Sequence, residues 1–336
     1  MNINKDNIGE YVHTRHLLGS SRNDNYSIEE LGGGFLNTVL RVSNGPHSIV
    51  VKQALDSLRL FPDLKVTTER INYETNALRL LDNLYPSGTV PSVLYFDDKN
   101  HISVMSDLGR RQSLETELVE GIVNLSVAKR LGQFLGSLHR ETWINSELRE
   151  QFNNAAMQDL RYKYCFYFVE DSDLNKIAYQ LSETFTATKQ TLLHGDFWTA
   201  SIITTEERVH TFDLEFVNYG HPAQDVGFII AHYLLHAYNN PSLTVDIFKA
   251  VEYLWGEYKK SMGRLLLDVE DMEKAVIRQA GLEMLFRIDG INQVNYISDN
   301  IVKTNIRDTA RLMMIDENPS VLRLKNIEVK PKSVGQ

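Results

Sequence analysis

From residue 26 the chain alternates apolar and polar positions in short runs, "YSIEEL", "LNTVLRV" and "SIVVKQA", separated by the glycines at 32–34 and by the turn "NGP". Period-two alternation punctuated in this way predicts strands, and the turns predict an antiparallel meander. The segment "TERINYETNALRLLDNL" sets Ile71, Leu78 and Leu81 near one helical face, and "VPSVLYF" and "HISVMSDLG" predict two more strands. Beyond Gly109 the period lengthens. Val127, Leu131, Phe134, Leu135 and Leu138 recur at helical spacing, and "DVGFIIAHYLLHA", "LTVDIFKAVEYLWGEYKKSM" and "MEKAVIRQAGLEMLFRI" predict long helices.

These patterns describe an α+β chain of two lobes. A sheet-rich N-terminal lobe over residues 1–105 carries one main helix, a short crossing or hinge runs over 106–110, and a larger helical lobe occupies 111–336. Such a division leaves a cleft of the kind in which ligands bind. No internal repeat or low-complexity tract interrupts it.

Composition narrows the class. With 336 residues, 43% hydrophobic and 10% aromatic, the chain has material for a large core. No run approaches the roughly 18 consecutive apolar residues of a membrane span. The start, "MNINKDNIGE", is polar where a signal peptide is apolar, so the expectation is a cytoplasmic protein with no membrane role. Cys165 is the only cysteine, which excludes an internal disulfide, and its place in "YKYCFYF" predicts a buried apolar residue. The formal charge of −9 argues against nucleic acid as a partner. Any phosphate the chain handles must meet positive charge locally.

Candidate chemistry concentrates in "HGDFWTASIITTEERVHTFDLEFVNYG", which holds His194, Asp196, Asp213 and Glu215. If "SIITTEERVHTF" is a hairpin turning at Glu206 and Glu207, Ser201 lies opposite Phe212. Ser201 and Asp213 then emerge side by side, next to the loop bearing Asp196. Carboxylates so gathered repel and raise one another's pKa. A divalent cation resolves that, and Asp213 and Glu215, two apart on an extended segment, offer the hard oxygens magnesium prefers. Asp196 stays available to accept a proton. The ordinary alternative is that acids near strand ends cap helices or face water. Against it, Asp196 precedes Ser201 by five positions and Asp213 by seventeen, nearly the spacing of a kinase catalytic loop and its metal-binding aspartate.

The sheet-rich part offers the complementary charge. Gly32, Gly33 and Gly34 let backbone N–H groups approach a polyphosphate, although many hairpins need glycine merely to turn. Lys52 sits among apolar neighbours in "SIVVKQA", where an ammonium needs an anion unless it snorkels to water from a sheet edge. Glu74 is its best protein partner by chain order, and nucleotide phosphates are the other candidate.

On the motifs "GGGFLN", "VVKQAL", "VMSDL", "HGDFWTAS" and "DLEFVNYG", the sequence resembles the protein-kinase-like superfamily, in the branch holding aminoglycoside phosphotransferases and choline kinases. More narrowly it is similar to the 5-methylthioribose kinases, over roughly residues 28–310. Ser201 in place of the usual asparagine, Asp-x-Glu in place of Asp-Phe-Gly, and a glycine loop ending on Asn37 all favour that branch. The resemblance implies ATP and Mg²⁺ as cofactors and a small-molecule hydroxyl acceptor, and it suggests a homodimer. It makes Asp196 the catalytic base, Asp213 and Glu215 the magnesium ligands with Ser201 assisting, and Lys52 the phosphate clamp. The backbone of Ser106, Asp107 and Leu108 becomes the adenine-binding strip. His194 and Asp225 become braces of the catalytic loop.

The sequence also departs from that family around the acceptor. Methylthioribose kinases carry adjacent arginines in Glu-Met-Ile-Arg-Arg-x-x-Gly, whereas here "EMLFRIDG" keeps Arg287 and puts Phe286 in place of the other. Leu214 replaces a proline, and Phe197 and Trp198 replace Leu-His, so Trp198 becomes a candidate stacking surface for a sugar or nucleoside. Methylthioribose or a related pentose is the leading acceptor, an aminoglycoside or other antibiotic the second. A nucleotide-binding pseudokinase is the non-enzymatic alternative.

Overall fold

The computed structural model describes residues 1–19, 25–32, 36–58, 63–205 and 207–329. The chain divides into two compact units, one of Met1–Arg111 with His210–Phe216 and one of Gln112–Val209 with Val217–Gln336.

The first unit is built on a five-stranded antiparallel sheet in the order β1-β2-β3-β5-β4. Its elements are α1 (Ile8–Thr14), β1 (Ser27–Glu30), β2 (Asn37–Asn44), β3 (His47–Ala54), α2 (Arg70–Leu84), β4 (Val93–Asp97) and β5 (Ile102–Ser106). Alternation decides what each face carries. Leu40 and Val42, Ile49 and Val51, and Ile102 and Val104 form one apolar core with Ile8, Tyr11 and Val12 of α1. Lys52, one residue out of phase with Val51, belongs to the opposite face, where it stands level with Val39 and Ser103. Helix α2 packs there, with Thr75 Oγ1 donating to Ser103 Oγ at 3.1 Å. Helix α1 is absent from the sequence reading because its seven residues bury only Ile8, Tyr11 and Val12, too few to show a period amid polar neighbours.

The second unit is mainly helical: α3 (Leu114–Val119), α4 (Leu125–Glu141), α5 (Ser146–Gln151), α6 (Ala155–Arg161), α7 (Ser172–Ala187), α8 (Ala223–Asn239), α9 (Thr244–Met262), α10 (Val269–Asp289) and α11 (Asn300–Ile315). Short strands β6 (Thr191–Leu193), β7 (Ile202–Thr204), β8 (Val209–Thr211) and β9 (Asn218–Gly220) interrupt it, the last two residues of β8 leading into the first unit. Helices α4 and α9 pack closely because α4 carries glycine at successive turns. A Cβ at Gly132 would stand 2.1 Å from the Leu254 carbonyl oxygen, and one at Gly136 2.8 Å from that of Tyr258. Helix α8 is mostly apolar and buried from Ala223 to Tyr238, with Gln224, Asp225, His232 and His236 buried among its apolar residues.

Two details differ from the sequence reading. Ser201 belongs to a 3₁₀ turn over Thr199–Ser201, so β7 begins a residue later, and the following turn closes through the Thr205 N–H and the Arg208 carbonyl at 2.9 Å. Its tip at Glu206 lies outside the described residues. Cys165, expected to be buried, is half-buried in a π-turn over Tyr162–Phe166 that continues α6. Among the described residues no helix is long and apolar enough to cross a membrane.

Candidate active site

In the first unit, the ammonium of Lys52 reaches two carboxylates. Its Nζ donates to Glu74 Oε1 of α2 and to Asp213 Oδ1, both at 2.9 Å. Glu74 Oε1 also accepts the N–H of Leu214 at 3.2 Å, which ties the Asp213 loop to α2. Asp213 itself has φ of +62°, a left-handed conformation uncommon outside glycine, although aspartate tolerates it better than most residues. Two residues on, Glu215 Oε2 accepts from Asn37 Nδ2 at 2.6 Å and lies 3.5 Å from Arg70 Nε. Arg70 is fully buried and also donates to Asn37 Oδ1 at 3.0 Å and to the carbonyls of Leu36 and Thr67.

The electrostatics follow from crowding. Three carboxylates, Glu74, Asp213 and Glu215, share Lys52 and Arg70 as counter-charges. Burial pushes the Lys52 ammonium down, but Asp213, Glu74 and Glu215 outweigh it and the net shift is upward, so Lys52 stays charged. Burial pushes Glu74 up to about 7, with Lys52 opposing and Asp213 and Glu215 reinforcing the rise. Among the described residues Glu74 Oε2 is buried with no hydrogen-bond partner. A divalent cation bound by Asp213 and Glu215 would add positive charge to this crowded set of carboxylates. The donor set fits magnesium, which takes one or two carboxylates and completes its shell with water and phosphate oxygens. Among the described residues no group of three or more His, Cys, Asp or Glu is placed to hold a metal ion by itself.

The remaining residues expected on the nucleotide side differ in what they do. A Cβ at Gly32 would meet nothing within 4 Å, so packing does not demand glycine there. Gly33 and Gly34 lie outside the described residues. Ser106 ends β5, its N–H donating to the Ser92 carbonyl and its Oγ accepting the Ser92 N–H, both at 2.9 Å. The Asp107 carboxylate takes Arg41 Nε at 2.7 Å and Nη2 at 3.0 Å, Ser48 Oγ at 2.7 Å and the Gly109 N–H at 2.9 Å. Those donors outweigh burial and hold it below the usual carboxylate range. Its side chain is thus committed to fixing the strand end, and Leu108 beside it is half-buried.

In the second unit, the loop after β6 is held from α8. Asp225 accepts the N–H of His194 at 2.7 Å and of Gly195 at 2.9 Å, one on each carboxylate oxygen. Gly195 has φ of +82°, which lets the chain turn so that Asp196 follows directly. The Asp196 N–H donates to His194 Nδ1 at 3.3 Å, and Ser201 Oγ donates to the carbonyls of Asp196 and Trp198, both at 3.0 Å. Ser201 therefore braces the loop. The Asp196 carboxylate is about one-fifth exposed, and Arg161 Nη2 lies 3.1 Å from its Oδ1. Arg287 of α10 is buried, donates from Nε to Glu283 Oε1 at 2.6 Å, and stacks its guanidinium 4.3 Å from the Trp198 ring centroid. Trp198 is half-buried in that contact and also lies 5.1 Å from the ring of His232.

Arg161, Arg70 and Glu283 are absent from the sequence reading. Arg161 and Arg70 look like ordinary helix-end cations, and their partners Asp196 and Glu215 are 35 and 145 positions away. Glu283 carries a local signal, since it precedes Arg287 by one helical turn in an otherwise apolar segment.

The first unit thus holds a strand-borne lysine clamped by a helix glutamate and a loop aspartate, and the second an aspartate presented on a braced loop. A family model described as the phosphotransferase enzyme family matches residues 27–259, and the chain belongs to that family. Its relatives include the methylthioribose kinase of Geobacillus thermodenitrificans (strain NG80-2), 26% identical over 309 residues that cover 82% of this chain and 78% of that one. The methylthioribose kinase of Geobacillus sp. (strain WCH70) is 28% identical over 258 residues, covering 67% of this chain and 64% of that one. Among solved structures, choline kinase from Cryptosporidium parvum Iowa II shares the fold with a TM-score of 0.60 at 12% identity, over 96% of this chain and 99% of that one.

Proposed function

We propose that the protein is a small-molecule kinase that transfers the γ-phosphoryl group of ATP to a hydroxyl of a sugar or sugar-like acceptor. The observation that carries this reading is Lys52 donating at 2.9 Å to both Glu74 and Asp213, with Asp213 held at φ of +62°. A fold has no structural need for a strained, half-exposed aspartate on a buried lysine, whereas nucleotide and metal binding do.

In this reading Lys52 holds phosphate oxygens, Glu74 fixes its position, and Asp213 and Glu215 supply the carboxylates for Mg²⁺. When bound, the metal neutralises charge on the phosphoryl oxygens. Gly32 leaves room for its backbone N–H to approach a phosphate. The strip from Ser106 to Leu108 receives the adenine edge through its backbone. Asp196 orients the acceptor hydroxyl and takes its proton as the new bond forms, with Ser201, His194 and Asp225 keeping its carboxylate in place. Catalysis is then mostly positioning. The methylthioribose kinases among the relatives favour a pentose as acceptor. Phe286, standing where that family has an arginine, makes the acceptor the point to be determined by experiment.

The test is ADP release with Mg·ATP across a panel of methylthioribose, other pentoses, nucleosides and antibiotics. Acceptor-stimulated release on at least one hydroxyl compound is expected. Absence of both ATP binding and ADP release across the panel would remove the reading.

A further inference from the structure

The charges around Asp196 select among acceptors. Arg161 and Arg287 are both about 3% exposed, so their guanidinium groups are fixed and desolvated. Arg161 lies 3.1 Å from Asp196 Oδ1 and packs 4.7 Å from the centroid of the Phe228 ring. Arg287 feels the field of Asp196 and is committed to Glu283 at 2.6 Å. Glu283 is thus paired with Arg287, and a further carboxylate, Glu115, accepts from Thr199 Oγ1 at 3.5 Å and is also held by the Arg287 charge. His232, fully buried, is kept uncharged by desolvation with Arg287 acting in the same direction. The Trp198 face, which could attract an ammonium, is covered by the Arg287 guanidinium at 4.3 Å.

A cationic acceptor approaching Asp196 therefore meets a carboxylate already paired with the Arg161 guanidinium at 3.1 Å, and an aromatic face already covered by Arg287. Hydroxyl and carboxylate oxygens meet the opposite situation, because guanidinium groups are donors only and suit oxygen acceptors. We propose that the acceptor is an uncharged or anionic polyhydroxy compound, and that Arg161 and Arg287 exclude acceptors bearing ammonium groups. This rests on the kinase reading above. Selection by like-charge juxtaposition is a general route to specificity. Arg161 is the specificity-determining residue in this proposal, since its Nη2 lies 3.1 Å from a carboxylate oxygen of Asp196.

The experiment compares acceptors with the same ring and hydroxyls but different charge: 5-S-methyl-5-thio-D-ribose and its 5-S-(2-aminoethyl) and 5-S-carboxymethyl analogues, with kanamycin as a polycation. ADP release is measured on the full-length protein. The expected result is turnover of the neutral or anionic member, with kcat/KM for the amino analogue and kanamycin lower by about 50-fold or more. R161Q is expected to narrow that ratio by about 5-fold or more, mainly through KM, and R161K to restore it. The proposal is overturned if the amino analogue or kanamycin matches the neutral sugar, if no neutral or anionic acceptor is turned over, or if R161Q, shown to be folded by its melting curve, leaves the ratio unchanged. The wild-type ratio alone decides the charge preference should R161Q not fold. ATP binding and acceptor-independent ATP hydrolysis, followed in parallel, report on the kinase reading separately. An enzyme that binds and hydrolyses ATP yet phosphorylates only ammonium compounds sinks this inference and leaves that reading standing.

Discussion

Lys52 and Asp196 show what a sequence discloses at the scale of single residues. Lys52 stands out because an ammonium within an apolar strand needs an anion, and Glu74 and Asp213 meet it at 2.9 Å. Asp196 stands out through its loop and its spacing to Asp213. Arg161 does neither, because a cation at the end of a helix is unremarkable until the fold brings it 3.1 Å from Asp196. The role assigned to Asp196 is tested by Asp196→Asn, which keeps shape and removes basicity. Acceptor-dependent kcat is expected to fall by about 10²–10⁴-fold, while the calorimetric affinity for ATP stays within about 2-fold of wild type, as transition-state-only interactions require. Unchanged kcat would remove Asp196 as the base.

At the scale of elements, the strands of the sheet are legible because alternation and glycine-rich turns agree over β1, β2 and β3. The long helices are legible through their period. Helix α1 and the 3₁₀ turn at Thr199–Ser201 are not, because each is short and takes its stability from tertiary contacts and hydrogen bonds that no local pattern records. The packing of α4 on α9 yields a direct prediction. Gly132→Ala places a methyl 2.1 Å from a carbonyl oxygen and is expected to cost roughly 1–3 kcal/mol in urea unfolding. Gly256→Ala, where a Cβ meets nothing within 4 Å in α9, is expected to be neutral or to gain up to about 1 kcal/mol from helix propensity. Equal effects at the two positions would contradict the close approach.

For the whole molecule, buried histidines set part of the response to acid. Burial, with His232 adding to it, pushes His236 down to about 3, and burial, with His139 adding to it, pushes His221 down to about 4. Both lie well below the 6.5 of an unperturbed histidine, so between those values the unfolded chain binds protons that the folded one refuses. Stability is therefore expected to fall as pH drops from about 6.5 toward 4. Among the described residues His236 has no hydrogen-bond partner for either ring nitrogen, and it stacks on Tyr296 at 4.5 Å, so His236→Phe keeps the ring and removes the titration. Its melting temperature is expected to depend less steeply on pH across that window than that of wild type, and an unchanged slope would exclude His236 from the effect. The central claim is that Asp213 and Glu215, poised beside Lys52, serve a metal–nucleotide complex. Titration calorimetry of ATP with Mg²⁺ and with EDTA, on wild type and on Asp213→Asn, tests it most directly. The account predicts that Mg²⁺ tightens ATP binding by about 10-fold or more in wild type and has little effect in the variant. Equal affinity with and without Mg²⁺ in wild type, or the same dependence in both proteins, would contradict it.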